Sequence, residues 1–216
     1  MRPLFIAVLA IVGSAACTDD NPGLTIGGNL KADETCGFVA GSANLLPAGT
    51  YDIKFPHSYY VAPLFRSGLV ARAALPGAPR AEPNDLLIEG AEVTLTTATG
   101  ALLAVSANPY TVATSAFVPA ATDGAPGTAA ASVEAIPLSY GTEIAALYPS
   151  GGTIVATMQF FGHTTGGTAV DATPWSWTIQ VCNGCLEVPC SEMLLDQCFA
   201  GQDGYNYQSS SCPVVP

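Results

Sequence analysis

The side chains best suited to chemistry are cysteines near the C-terminal end of the chain. The last 35 residues hold five of the seven cysteines, spaced as Cys182-x2-Cys185-x4-Cys190-x7-Cys198-x13-Cys212. The first pair has the spacing of a zinc knuckle or of a redox-active dithiol. No histidine follows at ligand spacing, and no strand–helix–strand pattern of a redox domain precedes the pair. We therefore favour structural disulfides over a metal site or a redox site, and we predict no metal and no cofactor.

The cysteine count supports this interpretation. Seven is an odd number for an oxidising compartment, but six remain when Cys17 is set aside for a different role. Cys36 is then expected to reach the tail and to close a loop of about 150 residues, while the 15 possible pairings stay open. The residues predicted to form three bridges are Cys36, Cys182, Cys185, Cys190, Cys198 and Cys212.

The two histidines do not form a recognisable catalytic motif. His57 lies in an expected turn, and His163 lies in the loop of a predicted hairpin. The chain has no His-Glu-x-x-His and no Gly-x-Ser-x-Gly sequence. We therefore predict no catalytic residue and a protein that is not an enzyme. A hydrolase whose catalytic residues are dispersed along the chain is the alternative.

Two further groups have both a structural and a binding interpretation. Trp175 and Trp177 alternate with apolar residues, which predicts core packing, whereas an exposed pair would form a platform for sugar rings. Asp203 and Asn206, with Asp196 nearby, could surround calcium, but the full 12-residue loop pattern is absent and an Asx turn explains them equally well.

The N-terminal segment has the order of a secretion signal. A basic start at Arg2 precedes nine apolar residues (4–12), which are too few to cross a bilayer, and small residues then lead to Cys17. Residues 1–16 resemble a bacterial lipoprotein signal peptide. That resemblance implies cleavage before Cys17 and lipidation of its sulfur, and Thr18 after it implies transport to the outer membrane. The alternative is an ordinary cleavage site that yields a soluble secreted protein.

The remaining 200 residues are acidic. Without Arg2 there are five basic residues against 17 acidic ones, a net charge of 5 − 17 = −12. Such a chain repels phosphate backbones and anionic head groups, so we predict no nucleic-acid partner and a membrane attachment through the N-terminal lipid alone. The expected ligand is a protein, a peptide or a glycan at the cell envelope.

Alternation of apolar and polar residues with period two predicts a mainly β fold. We expect an antiparallel β-sandwich of immunoglobulin-like or jelly-roll type with a disulfide-rich C-terminal tail, in which Gly90 marks a bulge and Asp52 faces away from the core. Residues 142–148 suit a short helix or a strand, and 191–198 a helix. The predicted strands are 51–55, 59–65, 86–97, 102–106, 111–117, 132–136, 153–161 and 172–181.

These elements predict four segments. Residues 1–16 form the signal peptide, 17–34 a lipidated N-terminus with a flexible tether, 35–181 the sandwich, and 182–216 a cysteine-rich tail packed on it. The tail, with a tryptophan-bearing strand running into Cys182-Asn183-Gly184-Cys185, is similar to the tails of uncharacterised secreted bacterial lipoproteins. That resemblance implies a compartment and carries no activity.

Overall fold

The computed structural model describes residues 23–33, 35–41, 44–72, 82–190, 198 and 202–208. Strands dominate these residues, and the mainly β fold class is confirmed. A single 3-10 turn, Leu138–Tyr140, leads into the short helix α1, Gly141–Leu147. The strands are β1 (Leu24–Leu30), β2 (Leu45–Leu46), β3 (Gly49–Asp52), β4 (Tyr59–Val61), β5 (Pro63–Ser67), β6 (Leu86–Thr97), β7 (Tyr110–Val118), β8 (Gly127–Ala130), β9 (Val133–Ile136), β10 (Gly152–Thr164), β11 (Ala169–Asp171), β12 (Trp175–Cys182), β13 (Glu187–Val188) and β14 (Tyr207–Gln208).

Two sheets form the body of the sandwich. The larger has the order β3-β12-β10-β6-β7, with β11 beside the end of β10, and the smaller has the order β2-β1-β5-β8. Two further pairs are β4 with β9 and β13 with β14. Neighbouring strands are antiparallel except where β3 runs beside β12 and β13 beside β14. The larger sheet therefore carries a parallel strand, β3, at its edge.

The core lies between the two sheets. Phe65 of β5 and Phe160 of β10 meet there edge to face, with ring centroids 5.0 Å apart. The larger of two hydrophobic clusters among the described residues extends along the chain from Leu24 to Val181, and Leu30, Ala62 and Leu64 form the smaller one. Because side chains alternate across each strand, β10 and β12 bury every second residue, which is the pattern that predicted them from the sequence. The described strands from β1 to β12 thus share one core.

The predicted bulge at Gly90 is confirmed. The pairing of β6 with β7 shifts between Ile88 and Gly90, and its pairing with β10 shifts at Phe161. A Cβ atom on Gly90 would lie 2.6 Å from the Phe161 ring and 2.8 Å from the Val112 carbonyl oxygen. The glycine is required because the ring lies directly over this position.

The predicted tether was wrong in part. Residues 17–34 were expected to be flexible, but Leu24–Leu30 forms β1, which pairs with β5 in the smaller sheet. Leu24 and Leu30 are buried, while Gly27 and Gly28 interrupt the alternation that would have revealed the strand. A register shift between Ile26 and Asn29 accommodates them. The sandwich therefore begins at Leu24, not at residue 35.

Other boundaries also differ. The predicted strand 59–65 divides at Ala62 into β4 and β5, which pair with different partners. Residues 142–148 are helical, as one of the two alternatives proposed. Between β10 and β12 the chain adds β11, so the predicted hairpin contains a third short strand. The helix predicted at 191–198 lies outside the described residues except for Cys198.

Residues 102–106 do not form the predicted strand. Leu103 is buried, but only an isolated bridge from Leu102 to Thr96 resembles strand pairing. The side chain of Asn108 bonds the backbone N–H and carbonyl of Leu95 and the carbonyl of Leu103 at 2.7–3.0 Å. This amide satisfies backbone groups that a strand would otherwise have paired.

Candidate functional site

The cysteine-rich tail joins the sandwich at β3, and a buried carboxylate holds this contact. Asp52 ends β3 and is fully buried. Its carboxylate accepts hydrogen bonds from the backbone N–H groups of Gly184 at 2.7 Å and Leu186 at 3.0 Å, and from that of Lys54 at 3.0 Å. Asp52 points to the opposite side of β3 from the core residue Tyr51, as predicted, but it is buried there because the tail covers this edge of the sheet. We call this contact the tail junction.

Two disulfides are defined among the described residues. Cys36 is bonded to Cys198 with Cα atoms 5.1 Å apart, which confirms that the start of the domain reaches the tail. Cys182 is bonded to Cys185, three residues away, with Cα atoms 5.9 Å apart. Cys190 is also disulfide-bonded. Cys17 and Cys212 lie outside the described residues, so lipidation of the former and pairing of the latter stay predictions.

The cysteine pair and Asp52 together have the composition of a metal site. The two sulfurs and a carboxylate oxygen lie within 4.8 Å of one another. Zinc binds the thiolate form of cysteine, which the disulfide does not offer. In the oxidised protein this cluster is therefore a disulfide loop resting on a buried carboxylate.

A second carboxyl group at the tail junction belongs to Asp203. It accepts hydrogen bonds from the Tyr59 hydroxyl and from the Thr50 N–H, the latter at 3.2 Å, and the Trp177 indole donates to the Tyr59 oxygen at 3.0 Å. Burial raises the pKa of Asp203 to about 6, although the two hydrogen bonds act in the opposite direction. Burial, and then the Asp203 charge, raise the pKa of Tyr59 well above its ordinary value.

These contacts decide between the interpretations of Asp203 and of the tryptophans. Asp203 lies in a turn closed by the Tyr205 N–H bonding the Gln202 carbonyl, and its carboxylate is directed to Tyr59, which favours the structural role over calcium binding. Asp196 lies outside the described residues. Trp177 is buried, as core packing predicted, and Trp175 beside it is partly exposed.

The histidines lie in separate elements. The ring of His57 contacts Phe55 with centroids 4.2 Å apart, and its carbonyl accepts the Tyr51 hydroxyl. His163 lies near the end of β10, where its Nδ1 is 3.1 Å from Oε1 of Glu89 on β6. This acidic neighbour could not be predicted from the sequence, because it is brought close only by the pairing of β6 with β10.

The histidine–glutamate pair belongs to an exposed patch on the side of the larger sheet that faces away from the core. Phe117, Leu87 and His163 are direct cross-strand neighbours on β7, β6 and β10, so their side chains project from the same face. Phe117 is 54% exposed and Leu87 36% exposed. Phe161 lies in the adjacent row. We call these residues the outer-face patch: Leu87, Glu89, Phe117, Phe161 and His163.

No protein-family model matches this chain, and neither a curated protein nor a solved structure shows significant similarity to it. The fold and the two candidate sites therefore define the chain only as a disulfide-bonded β-sandwich protein. Within the part of the chain that the structure describes, no helix has the length and apolar character needed to span a membrane.

Proposed function

We propose that this protein is a lipid-anchored component of a bacterial cell envelope, held at the outer membrane through Cys17, and that it acts as a non-catalytic module that binds another protein. The single observation that carries the binding role is the outer-face patch. The anchor rests on the sequence of the N-terminal segment and its resemblance to lipoprotein signals.

The disulfides support export from the cytoplasm. Disulfides form and persist in oxidising compartments such as the periplasm, and reducing systems remove them in the cytoplasm. The bond between Cys36 and Cys198 joins residues 162 positions apart, so it also fastens the tail to the start of the domain. A protein with this cross-link is suited to an environment outside the cytoplasm.

The composition of the outer-face patch supports a protein partner. Exposed aromatic and aliphatic side chains that adjoin one another and are surrounded by polar groups are typical of protein–protein contacts. Phe117 and Leu87 form the apolar centre, and the exposed side chains of Ser115 on β7 and Glu89 on β6 adjoin it on the same face. An exposed sheet face of this kind suits a protein surface better than a small molecule, which binds in a concave pocket.

The acidic residues around the outer-face patch indicate which charge the surface of the partner carries. Glu89 and Glu92 of β6 and Asp171 of β11 are exposed around the apolar centre. The whole chain has only six lysines and arginines against 17 acidic residues. Complementary charges accelerate encounter and exclude wrong partners, so we expect an apolar partner surface surrounded by lysine or arginine.

Metabolic labelling with a fatty-acid probe tests the anchor. The wild-type chain should incorporate label in its native host, and Cys17→Ala should abolish incorporation. Label that persists in the variant, or a wild-type protein that is exported without acyl groups, would contradict the anchor.

Cross-linking and pull-down from isolated envelopes test the binding role. Phe117→Ser and Leu87→Ser should each reduce capture of the partner at least about tenfold, as expected when an interface anchor is truncated. Leu102→Ser is the matched control, because Leu102 is 60% exposed and lies beside the opposite end of β6. Equal capture by all three variants would remove the patch from the interface, and a glycan retained by the patch instead of a protein would overturn the partner class.

One observation keeps a hydrolase as the second candidate. The contact of His163 with Glu89 on an exposed face is an arrangement that could orient a general base. Turnover of an ester, peptide or glycoside that is lost in His163→Ala would replace the binding role with a catalytic one.

A further inference from the structure

The disulfide between Cys182 and Cys185 does not connect distant parts of the fold. The two residues are three positions apart, so the bond closes a very short loop and connects no distant parts of the chain. The stabilisation that a disulfide gives through the unfolded state grows with the length of the loop it closes. The bond between Cys36 and Cys198 meets that condition, and this one does not.

The loop is held in place by contacts that do not involve sulfur. Asp52 accepts the N–H groups of Gly184 and Leu186. The Ile53 N–H bonds the Cys182 carbonyl at 2.9 Å, where β12 continues beside β3. Lys54 also forms an ion pair with Glu187, directly after the loop. We therefore expect these contacts to keep the two cysteines next to each other when their sulfurs are not bonded.

The two cysteines differ in exposure. Cys185 is exposed in the loop, whereas Cys182, the last residue of β12, is partly buried. A thiol arriving from solvent consequently meets Cys185 first. Such an exposed and a shielded cysteine, separated by two residues, provide one sulfur for attack and one that leaves and can later return.

We propose that Cys182 and Cys185 form a reversible thiol–disulfide exchange site whose substrate is a dithiol of another polypeptide. A thiolate of that dithiol attacks the sulfur of Cys185, a partner–Cys185 disulfide forms, and the electron pair of the broken bond leaves on Cys182, which takes a proton from water. The partner's second thiolate then attacks the partner sulfur of this mixed disulfide. Cys185 leaves with the electron pair and is protonated. In sum, the partner dithiol gives two electrons and becomes a disulfide, and the cysteine pair becomes a dithiol.

This activity is independent of the lipid anchor and of the outer-face patch. It requires only that exchange occurs in the folded protein, and the contacts that hold the loop do not involve sulfur. The Cys36–Cys198 bond serves as an internal reference, because its loss removes a covalent attachment of the tail and is expected to alter the tertiary structure.

The first experiment incubates the oxidised, full-length protein with a reduced synthetic peptide that carries two cysteines, and in parallel with reduced glutathione. Samples are quenched in acid, alkylated and analysed by peptide mass spectrometry, while near-ultraviolet circular dichroism reports the tertiary structure. We expect oxidised peptide and alkylated Cys182 and Cys185 in equal amounts, an intact Cys36–Cys198 bond and an unchanged spectrum. Exchange that occurs only in denaturant, or glutathione adducts without oxidised peptide, would overturn the proposal.

The second experiment identifies the attacked sulfur. Cys182→Ser leaves the exposed thiol, and Cys185→Ser leaves the shielded one. In the presence of oxidised peptide the first variant should form a mixed disulfide at least about tenfold faster than the second. Equal rates would refute the assigned direction of attack. The wild-type measurement stands if either variant fails to fold.

Discussion

Replacing Asp203 with asparagine should change how the stability of the protein depends on pH. The carboxyl group of Asp203 is held at the tail junction by the Tyr59 hydroxyl and the Thr50 N–H. Burial disfavours its charged form and raises its pKa from 3.8 to about 6. Asparagine keeps an oxygen that can accept both hydrogen bonds but has no proton to bind in this pH range.

The pKa of Asp203 differs between the folded and the unfolded protein, and this difference sets the sign and size of the change in stability. Because the pKa is higher in the folded protein, folding takes up a proton between pH 3.8 and 6. The stabilisation is complete below pH 3.8 and is lost as the pH rises through 6. A difference of about two pKa units corresponds to about 3 kcal/mol in the free energy of unfolding.

Denaturant unfolding followed by tryptophan fluorescence, at pH values from 4 to 7, measures this change. The wild-type protein should lose about 2 kcal/mol more than the Asp203→Asn variant over that range, because at pH 4 part of the stabilisation is already lost. Asp123→Asn is the control, because Asp123 is exposed in a turn, and it should keep the wild-type dependence. If the wild type and Asp203→Asn follow parallel curves, the carboxyl group is not buried as described.

Three further changes give measurable outcomes in the same unfolding assay. Cys36→Ser should lower the free energy of unfolding by about 5 kcal/mol, because the bond of Cys36 to Cys198 closes a loop of more than 160 residues. A decrease of less than about 1 kcal/mol would contradict a cross-linking role. Asp52→Ala should cost about 3 kcal/mol by leaving buried N–H groups of the tail unpaired, whereas Asp52→Asn should cost less. Gly127→Ala should lower the free energy of unfolding by about 1–3 kcal/mol, because the new Cβ would overlap the backbone of the preceding loop. Gly68→Ala is the control, because the space around Gly68 is open, and it should change the free energy of unfolding by less than about 0.5 kcal/mol.

The strands of the larger sheet could be predicted because their pattern is local. β10 and β12 bury alternate residues along their whole length, and β6 keeps its alternation on either side of Gly90. In such strands one face lies against the other sheet and the opposite face does not, so period-two spacing alone reveals the buried side. The bulge was also predictable, because glycine within a strand often marks a close approach of another group.

The tail junction could not be predicted, because its contacts join residues that are far apart in the sequence. Asp52 is buried by residues more than 130 positions away, and no local pattern distinguishes it from an exposed strand aspartate. The same holds for the approach of Glu89 to His163, which depends on the register of β6 against β10. Only the cysteine count contained long-range information, and it correctly predicted that Cys36 reaches the tail.

The two disulfides defined among the described residues of the tail have opposite relations to the fold, although the cysteine spacing led to the same interpretation for both. The Cys36–Cys198 bond restricts the unfolded chain over a long loop, so its removal should lower stability. The Cys182–Cys185 bond restricts very little, and Asp52 already fixes the loop around it through backbone N–H groups. Reduction of the first should therefore loosen the attachment of the tail, whereas reduction of the second should change the chemistry of one exposed loop and leave the sandwich intact. That difference makes reversible chemistry at Cys182 and Cys185 compatible with a stable fold.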